Sequence, residues 1–393
     1  MVKGGTWSFT DLETEVVKKG ICGKCGGCVS FCSANRIGAL VIDEMGFPSY
    51  GDKDKCLECG LCYMVCPQTH PMKDEVDEES SWKPPIGNFS DVFSARSSHT
   101  EVRDRATDGG VVTSLLIHML DEGMIDGAVV SVSADPLLRK AIVATSREEL
   151  LQAAGSQFEE SPHLEEVGKG YTTYVPVAKS IQEIAPKKIG RLAVVGTPCQ
   201  INAIRKMQVL KIAPSDIVTF TIGLFCMQCF EVGNLMEKTF IKSHKINVED
   251  IRKVNIKDDF ILTMTSGITV HIPLKEIEEI ARPACLACEL FANDHADISV
   301  GGLGSPDGYT TVMIRSIKGK EMFADALYHG RLQYISRKSA EEREGEKQRI
   351  VSLVKDFAEL KKRRGEAELE RLRLGGAPRL SGGERKAGNG SDG

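Results

Sequence analysis

Eight cysteines within the first 66 residues constrain this chain more than any other feature of its sequence. They form two runs with the same spacing, C-x2-C-x2-C-x3-C, and a proline, Pro67, follows the second run. The first run is Cys22, Cys25, Cys28 and Cys32, and the second is Cys56, Cys59, Cys62 and Cys66. Loops with this spacing supply the soft thiolate ligands that [4Fe-4S] clusters need. The sequence therefore predicts two compact iron–sulfur sites near the amino terminus.

The two runs are read as an internal repeat that forms a two-cluster ferredoxin-like module over residues 1–67. In such a module three cysteines of one run hold one cluster, and the fourth cysteine reaches the other cluster. The predicted ligand sets are therefore Cys22, Cys25, Cys28 and Cys66 for one cluster, and Cys56, Cys59, Cys62 and Cys32 for the other. Zinc knuckles or free thiols are the alternative, but they explain two matched runs less well.

The composition is that of a globular protein in a reducing compartment. The net charge of -5 gives no support for nucleic-acid binding. The thirteen cysteines fall largely in metal-ligand spacings, which favours bound thiolates over disulfides. No signal segment opens the chain, and its longest apolar stretch, near Ile217 to Phe225, is shorter than the roughly 20 residues that cross a bilayer. We expect a cytoplasmic protein without a membrane span, peripheral to any membrane complex it serves.

The rest of the chain divides into four predicted segments. Residues 68–90 are predicted to be a linker, because an acidic stretch and a Pro-Pro pair interrupt regular structure. Residues 91–335 alternate strands with helices, which predicts a mixed α+β or α/β domain. Residues 336–374 have helical periodicity on a charged background, so they form either a solvated surface helix or a docking arm for a partner. Residues 375–393 are Gly-rich and polar, and we expect them to be disordered.

Short apolar runs in the main domain predict individual elements. Helices are expected at Thr113 to Met119 and after Pro198. Strands are expected at Gly127 to Val132, Arg191 to Val195, Ile217 to Phe225, Ala296 to Val300 and Thr310 to Ile314.

Five further cysteines lie in this domain. Cys199 follows one predicted strand, Cys226 ends another, and Cys285 and Cys288 form a C-x-x-C pair. Four thiolates that converge from strand ends could hold a third cluster. Buried structural cysteines are the alternative, and a catalytic thiol at Cys199 is a further one, although no histidine partner is evident nearby in the sequence. Cys229 has no predicted role.

Three glycine loops could bind a phosphate-bearing cofactor. Gly109 and Gly110 precede a predicted helix, Gly155 and Ser156 form a second loop, and Gly301 to Gly308 follows a strand. Glycines at a helix amino terminus expose N–H groups that can bind phosphate. The third loop does not fit G-x-G-x-x-G, which disfavours an NAD-binding Rossmann site, and no P-loop is present. Ordinary turns remain the alternative for each loop.

Five ordered motifs resemble the coenzyme F420 hydrogenase/dehydrogenase beta-subunit family over about residues 90 to 320. The motifs are Gly109-Gly110-Val111-Val112-Thr113, Ala154-Gly155-Ser156-Gln157-Phe158, Val195-Gly196-Thr197-Pro198-Cys199-Gln200, Ile222-Gly223-Leu224-Phe225-Cys226 and Ala296-Asp297-Ile298-Ser299-Val300-Gly301. With its amino-terminal cysteine module, the chain is most similar to the F420-oxidising input subunit of archaeal F420 dehydrogenases, which feeds a complex-I-like membrane assembly.

The resemblance implies cofactors and site residues. Members of the family bind FAD and exchange a hydride with the deazaflavin F420, and the family's own cluster site matches Cys199, Cys226, Cys285 and Cys288. The chain would then hold three [4Fe-4S] clusters. The implied flavin contacts are Gly109, Gly110, Thr113, Gly155, Ser156, Thr197 and Ser305.

No side-chain acid or base is required for hydride transfer, so no catalytic residue is predicted. Basic residues would suit the anionic F420 tail, and the candidates, which surface roles would explain equally, are Arg96, Arg103 and Arg105.

The resemblance predicts an F420-dependent dehydrogenase that is an iron–sulfur flavoprotein of the kind used in methanogenesis by archaea. It would oxidise reduced F420 and pass single electrons to partner redox subunits. Related alternatives are the beta subunit of an F420-reducing hydrogenase or formate dehydrogenase, and an F420:ferredoxin oxidoreductase. An alternative of a different class is a non-enzymatic iron–sulfur electron relay.

Overall fold

The computed structural model describes residues 7–133, 139–155, 189–230, 242–256, 259–277 and 281–379. Short helices and one hairpin surround the two cysteine runs. The helices are α1 (Phe9–Leu12, followed by a π-helical turn over Glu13–Val17), α2 (Gly27–Ala34), α3 (Leu61–Met64) and α4 (Lys73–Glu79), and the strands are β1 (Leu40–Ile42) and β2 (Pro48–Tyr50). Helix α4 lies within the segment predicted as a linker, so that prediction missed a helix.

The main domain has a mixed α/β fold, as the sequence predicts. Its strands are β3 (Asp91–Ser97), β4 (Gly127–Ser133), β5 (Arg139–Ala144), β6 (Leu192–Gly196), β7 (Val218–Leu224), β8 (Ile251–Ile256), β9 (Asp259–Met264), β10 (Thr269–Pro273), β11 (Ile298–Gly301), β12 (Thr310–Ile314) and β13 (Leu332–Tyr334). All five predicted strands are present, with bounds that differ by at most two residues. Eight strands form one large sheet in the order β13-β3-β12-β11-β7-β6-β4-β5, and β8, β9 and β10 form a separate antiparallel sheet.

Helices connect and cover these strands. They are α5 (Thr100–Arg105), α6 (Val111–Asp121), α7 (Arg147–Gln152), α8 (Pro198–Val209), α9 (Lys242–His244), α10 (Leu274–Ile277), α11 (Pro283–Leu286), α12 (Ile317–Tyr328) and α13 (Ala340–Arg373). Both predicted helices of the main domain are present, as α6 and α8. No helix in the described part of the chain combines the length and apolarity needed to span a bilayer.

The direction of the strands creates one functional edge of the large sheet. Strands β4, β6, β7 and β11 pair in parallel. Strand β12 is antiparallel to both β11 and β3, so β3 runs in the same direction as the four parallel strands. We call the edge where these five strands end the carboxyl edge. In open α/β sheets, ligands bind in crevices at this edge.

Burial and capping explain why the strand–helix unit around Cys199 forms. Every residue of β6, Leu192–Gly196, is buried, as expected for a central parallel strand covered on both faces. Thr197 and Gln200 then form a capping box, and Pro198 occupies the first turn of α8. The chain therefore turns sharply from the end of β6 into a helix that begins at the carboxyl edge.

The long charged helix α13 packs against the chain itself. Ile350, Val354 and Ala358 are buried with Phe291 in one apolar cluster. Farther along, Leu369 and Leu372 pack against the apolar cluster of the amino-terminal module. With 34 residues, α13 spans about 50 Å along the molecule. Of the tail predicted to be disordered, residues 380–393 lie outside the described residues.

The side chain of Arg315 links the segment that precedes β3 to the large sheet. Its side chain is 1% exposed, and its guanidinium donates to the carbonyl oxygens of Ile86 (2.7 Å), Asn88 (3.1 Å) and Ala292 (2.8 Å). Burial lowers the pKa of Arg315 to about 10, which leaves it charged at neutral pH. One buried cation therefore satisfies three carbonyl groups of otherwise irregular backbone.

Replacing Arg315 by leucine should destabilise the chain strongly. Three carbonyl oxygens would lose their charged donor, and each unsatisfied group costs about 1–3 kcal/mol, so a loss of at least about 3 kcal/mol is expected. Anaerobic thermal unfolding would measure it. Arg373→Leu is the matched control, because the side chain of Arg373 is 79% exposed and its loss should change stability by less than about 0.5 kcal/mol. Equal melting temperatures for the two variants would contradict this role of Arg315.

Candidate functional site

The eight amino-terminal cysteines come together as two groups of four sulfurs. Interactions among the sulfurs define one group as Cys22, Cys25, Cys28 and Cys66, and the other as Cys32, Cys56, Cys59 and Cys62. The last cysteine of each run thus lies with the first three of the other run, as the crossed assignment expects. Cys62 also interacts with Cys28, so the two groups are neighbours. Iron ligation by these sulfurs stays a prediction.

Two glycines at equivalent positions give the two cysteine runs the same local structure. Gly26 (φ 79°) and Gly60 (φ 73°) adopt the left-handed conformation, and each ends a cysteine loop and starts a short helix. A Cβ atom at Gly60 would lie 2.7 Å from the carbonyl oxygen of Trp7, so a larger residue has no room there. Both loops therefore need glycine for backbone conformation, and the second needs it for space as well.

The chemistry of these groups fits a polynuclear metal centre. Burial raises the pKa of Cys28 well above its usual value, and the sulfurs of Cys25 and Cys22 raise it further. Burial likewise raises the pKa of Cys62 and of Cys66 to about 12. Four adjacent buried sulfurs can all be ionised only beside a compensating positive charge, which the iron of a cluster supplies. No disulfide joins any of the thirteen cysteines, all of which lie in the described residues.

The core cysteines lie around the carboxyl edge of the large sheet. Cys199 is in the first turn of α8 after β6, and Cys226 follows the parallel neighbour β7. The side chain of Asn293 ties the two strand ends together, because its Nδ2 donates to the carbonyl oxygens of Gly196 (2.9 Å) and Leu224 (3.2 Å). Neighbouring parallel strands thus bring Cys199 and Cys226 to the same edge.

The C-x-x-C pair approaches Cys226. Burial raises the pKa of Cys288, and the sulfurs of Cys285 and Cys226 raise it further, so these three cysteines lie close together. The backbone N–H of Cys229, which had no predicted role, donates to Sγ of Cys285 at 3.3 Å. Cys229 therefore contributes a backbone hydrogen bond to a predicted ligand.

The core cysteines also contact the amino-terminal module. A Cβ atom at Gly23 would lie 3.6 Å from Sγ of Cys199, which places Cys199 against the loop between Cys22 and Cys25. Ala287, inside the C-x-x-C pair, is buried in the same apolar cluster as Phe9. The three cysteine groups are therefore adjacent in one interior rather than distributed over separate bodies.

Two buried lysines face these cysteine groups, and the sequence analysis missed both. Lys206 on α8 donates to the carbonyl oxygens of Cys66 (2.6 Å) and Thr69 (2.7 Å), and burial lowers its pKa to about 8. Lys361 on α13 donates to the carbonyl oxygen of Cys226 (2.5 Å). Burial alone would lower the pKa of Lys361, but the sulfurs of Cys288 and Cys226 outweigh burial and raise it. A signal existed for Lys361, because it continues the helical stripe of the apolar residues Val354 and Ala358.

The first glycine loop is built around close backbone contacts. The N–H of Gly109 donates to Oγ1 of Thr310 (2.9 Å), and a Cβ atom at Gly109 would lie 2.5 Å from the carbonyl oxygen of Ala95. Gly110, with φ of 74°, is the N-cap of α6. The loop therefore presents the amino terminus of an 11-residue helix at the carboxyl edge, where a phosphate could bind.

The other glycine loops lie beside the first one. Gly155 (φ 98°) is close to the carbonyl oxygen of Arg105, in the segment that leads to Gly109. A Cβ atom at Gly302 would lie 2.8 Å from Oδ2 of Asp108, which places the loop after β11 against the loop before α6. The three predicted glycine loops therefore meet at one place.

The remaining predicted flavin contacts differ in position. Thr113 is buried on α6, and Ser156 lies outside the described residues. Oγ of Ser305 lies 2.7 Å from the hydroxyl oxygens of both Ser94 and Thr311, within hydrogen-bond distance. This places Ser305 near the glycine loops. Oγ1 of Thr197 is 3.1 Å from Sγ of Cys199, so Thr197 lies at the core cysteines.

The candidate arginines lie around the end of β3. The guanidinium of Arg96 stacks over the ring of Tyr309 at 4.7 Å. Nη1 of Arg103 donates to the carbonyl oxygen of Ser97 at 2.8 Å, and its other nitrogen donates to Thr100. Both side chains therefore have structural contacts, and binding of an anionic tail stays a prediction for them and for Arg105.

Two family models match the chain, and both describe the beta subunit of coenzyme F420 hydrogenase/dehydrogenase. The model of its N-terminal part matches residues 92–167, and the model of its C-terminal part matches residues 189–339. Together they cover more than half of the 393 residues. The amino-terminal cysteine runs and helix α13 lie outside both matches.

Named relatives and a solved structure are similar to the chain. The beta subunit of coenzyme F420 hydrogenase from Methanosarcina barkeri is 31% identical over 253 residues, which are 63% of this chain and 82% of the relative. The F subunit of F(420)H(2) dehydrogenase from Methanosarcina mazei is 28% identical over 319 residues, which are 79% of this chain and 83% of the relative. A chain in a structure of the F420-reducing [NiFe] hydrogenase complex from Methanosarcina barkeri matches with a TM-score of 0.65 and 29% identity, over 75% of this chain and 96% of that one.

A serine replacement at Cys288 should remove one cluster. If Cys199, Cys226, Cys285 and Cys288 hold a cluster, Cys288→Ser should lose about four of about twelve iron atoms per reconstituted chain. Cys229→Ser is the matched control: the Cys229 sulfur also lies near Lys361, but the assignment names Cys199 as the fourth ligand, so this variant should keep its iron. Iron analysis with EPR of the reduced protein would measure both. Full iron content in Cys288→Ser, or equal loss in Cys229→Ser, would contradict the assignment.

Proposed function

The chain belongs to the coenzyme F420 hydrogenase/dehydrogenase beta-subunit family, and from this premise we propose that it oxidises reduced coenzyme F420. Hydride would pass to FAD, and single electrons would leave through three [4Fe-4S] clusters to a partner complex. The observation that carries the proposal is that the glycine loops lie with Cys199 and Cys226 at the carboxyl edge of one sheet, and that the amino-terminal cysteine module packs beside the core cysteines. An input subunit that converts two-electron to one-electron transfer needs both kinds of site.

The flavin supplies the chemistry, because it can accept a hydride and release its electrons singly. The chain's own part is binding and orientation. Backbone N–H groups at the start of α6 would receive the flavin phosphates, and Gly109, Gly110, Gly155 and Ser305 would shape that loop region. Thr113 and Ser156 are proposed to complete the contacts. Productive transfer needs the F420 ring held within roughly 3–3.5 Å of the flavin, so the crevice must position two rings against each other.

The contact between Cys199 and Gly23 supports a route out of the core site. Cys199 would hold the core cluster together with Cys226, Cys285 and Cys288, while Cys22 and Cys25 on either side of Gly23 would hold the next one. A Cβ atom at Gly23 would lie in van der Waals contact with Sγ of Cys199, at 3.6 Å, so the two sites are neighbours. Electrons could then pass from the core to the amino-terminal clusters without crossing solvent.

Alignment length favours the dehydrogenase input subunit over the beta subunits of hydrogenase and formate dehydrogenase. The match to the relative named as the F subunit of F(420)H(2) dehydrogenase spans 319 residues, whereas that to the hydrogenase beta subunit spans 253. A beta subunit of a hydrogenase or formate dehydrogenase, or an F420:ferredoxin oxidoreductase, is the second candidate. Partner redox subunits are proposed for each, and a complex-I-like membrane assembly is proposed for the first. A non-enzymatic relay would need the clusters but no flavin.

The reaction can be tested on the anaerobically reconstituted full chain. We expect about twelve iron atoms per chain and bound FAD. Reduced F420 should be oxidised in the presence of a one-electron acceptor such as methyl viologen, with return of the absorbance of oxidised F420. NADH should not replace it, because the glycine loop does not fit a Rossmann site. Electron transfer by protein free of flavin would favour the relay, and inactivity towards F420 in protein with full flavin and iron would contradict the proposal.

A single methyl group at Gly109 should separate flavin binding from cluster binding. In Gly109→Ala the new Cβ would lie 2.5 Å from the carbonyl oxygen of Ala95, so the loop before α6 must shift. We expect at least a tenfold loss of FAD affinity, equivalent to about 1.4 kcal/mol, with iron content unchanged. Gly345→Ala on α13 is the control, since nothing lies within 4 Å of its added Cβ. If Gly109→Ala binds FAD with unchanged affinity, the loop before α6 is not part of the flavin site.

A further inference from the structure

Two buried lysines lie beside the sulfur groups of the described part of the chain. Lys206 and Lys361 are each only 1% exposed, which is rare for a lysine without a negative partner. Their ammonium groups donate to backbone carbonyls of cysteines, Cys66 for Lys206 and Cys226 for Lys361. Each lysine thus contacts the backbone of a different predicted cluster ligand, and the two lysines come from different helices.

The strongest negative neighbours of both lysines are cysteine sulfurs. For Lys361 they are those of Cys288, Cys226, Cys285 and Cys229. For Lys206 they are those of Cys66 and Cys25, while Glu75 contributes less. Removing an ammonium group from water is costly unless a nearby negative charge compensates it. A cluster with four thiolate ligands carries net negative charge, and reduction adds one more electron, so each cation stabilises the reduced state more than the oxidised state.

We propose that Lys206 and Lys361 are positioning residues that act as the buried counter-charges of two different clusters. Lys361 raises the reduction potential of the core cluster, and Lys206 raises that of the cluster at Cys22, Cys25, Cys28 and Cys66. The proposal rests on the proposed function, because it requires clusters at those cysteines. The proposal goes beyond that function, because it states which two side chains set the reduction potentials of two clusters on the electron-transfer route.

Contacts of the turn of α13 that follows Lys361 hold this side chain in place. Nη2 of Arg364 donates to the carbonyl oxygens of Met227 (2.9 Å) and Cys285 (3.1 Å). A Cβ atom at Gly365 would lie 3.0 Å from the carbonyl oxygen of Cys288, so the helix backbone packs directly on the C-x-x-C loop. This fixes the register of α13 at the core site. Since α13 begins after residue 339, the core potential is set by an element outside the family match.

Backbone donors act in the same direction at the core site. The N–H of Cys229 donates to Sγ of Cys285 (3.3 Å), and hydrogen bonds to ligand sulfurs also raise cluster potentials. This donor is unaffected by lysine replacement. A change in potential on replacing Lys361 therefore reports the ammonium charge alone, provided the backbone stays in place.

The test compares Lys361→Met and Lys206→Met in the full chain, reconstituted anaerobically and titrated by EPR at controlled potential. Methionine keeps an unbranched stem of similar length and removes the charge. In each variant we expect one midpoint potential to move to a more negative value and the other two to stay, with a different cluster affected in each. The core signal is identified as the one that Cys288→Ser removes. Lys362→Met is the matched control, since Lys362 neighbours Lys361 on α13 and its side chain is 60% exposed.

If a methionine variant does not bind its cluster, the arginine replacements show whether the charge or the packing of the lysine is needed. Lys361→Arg and Lys206→Arg keep the charge, so recovery of the cluster with a midpoint near that of the unaltered chain supports the proposal. Loss of the cluster in the arginine variant as well overturns it, because packing and not charge would then be required. Unchanged midpoints in both methionine variants overturn it too. If the unaltered chain holds fewer than three clusters, the proposed function itself has failed before any variant is compared.

Discussion

The interior of this molecule is organised around groups of sulfurs that lie close together, most of them buried or half-buried. Thiolates so near one another repel strongly, and burial adds to the cost, as the raised pKa values of Cys28, Cys62 and Cys288 indicate. Such groups are stable only with tight loops, backbone donors and positive charge around them. The left-handed glycines, the N–H of Cys229 and the buried lysines each meet one of these requirements.

The same requirement explains why the amino-terminal module is not an independent body. Lys206 belongs to the main domain but lies beside Cys66 of the module, and Ala287 of the C-x-x-C loop packs among the module's apolar residues. Helix α13 then contacts both the core cysteines and the module through one continuous stripe. The positive charge beside the Cys66 group comes from the main domain and that beside the core cysteines comes from α13, which ties the parts of the chain together.

The sequence predicted local chemistry well where the signal was local. The cysteine spacing, the strand from Thr310 to Ile314 and the helix after Pro198 all depend on residues close in the chain, and the structure has the elements as expected. The family was also predictable, because five motifs occur in a fixed order. Helix α4 was missed because the acidic stretch and the following prolines resembled a linker more than one short helix.

What could not be predicted depends on contacts between distant segments. A lysine within a charged helix usually faces solvent. The stripe of Val354 and Ala358 indicates that Lys361 faces inward, but only the approach of Gly365 to the C-x-x-C loop shows which group the helix meets. Similarly, nothing local to Cys199 indicates that Gly23 lies against it, 176 positions away. Electron transfer between the proposed sites would depend on such spacings and charges, and both arise from contacts between distant segments of the chain. The family match contains Cys199, Cys226, Cys285, Cys288 and Lys206, whereas the eight amino-terminal cysteines and Lys361 lie outside it, so the sulfur groups and their buried cations are assembled from both parts of the chain.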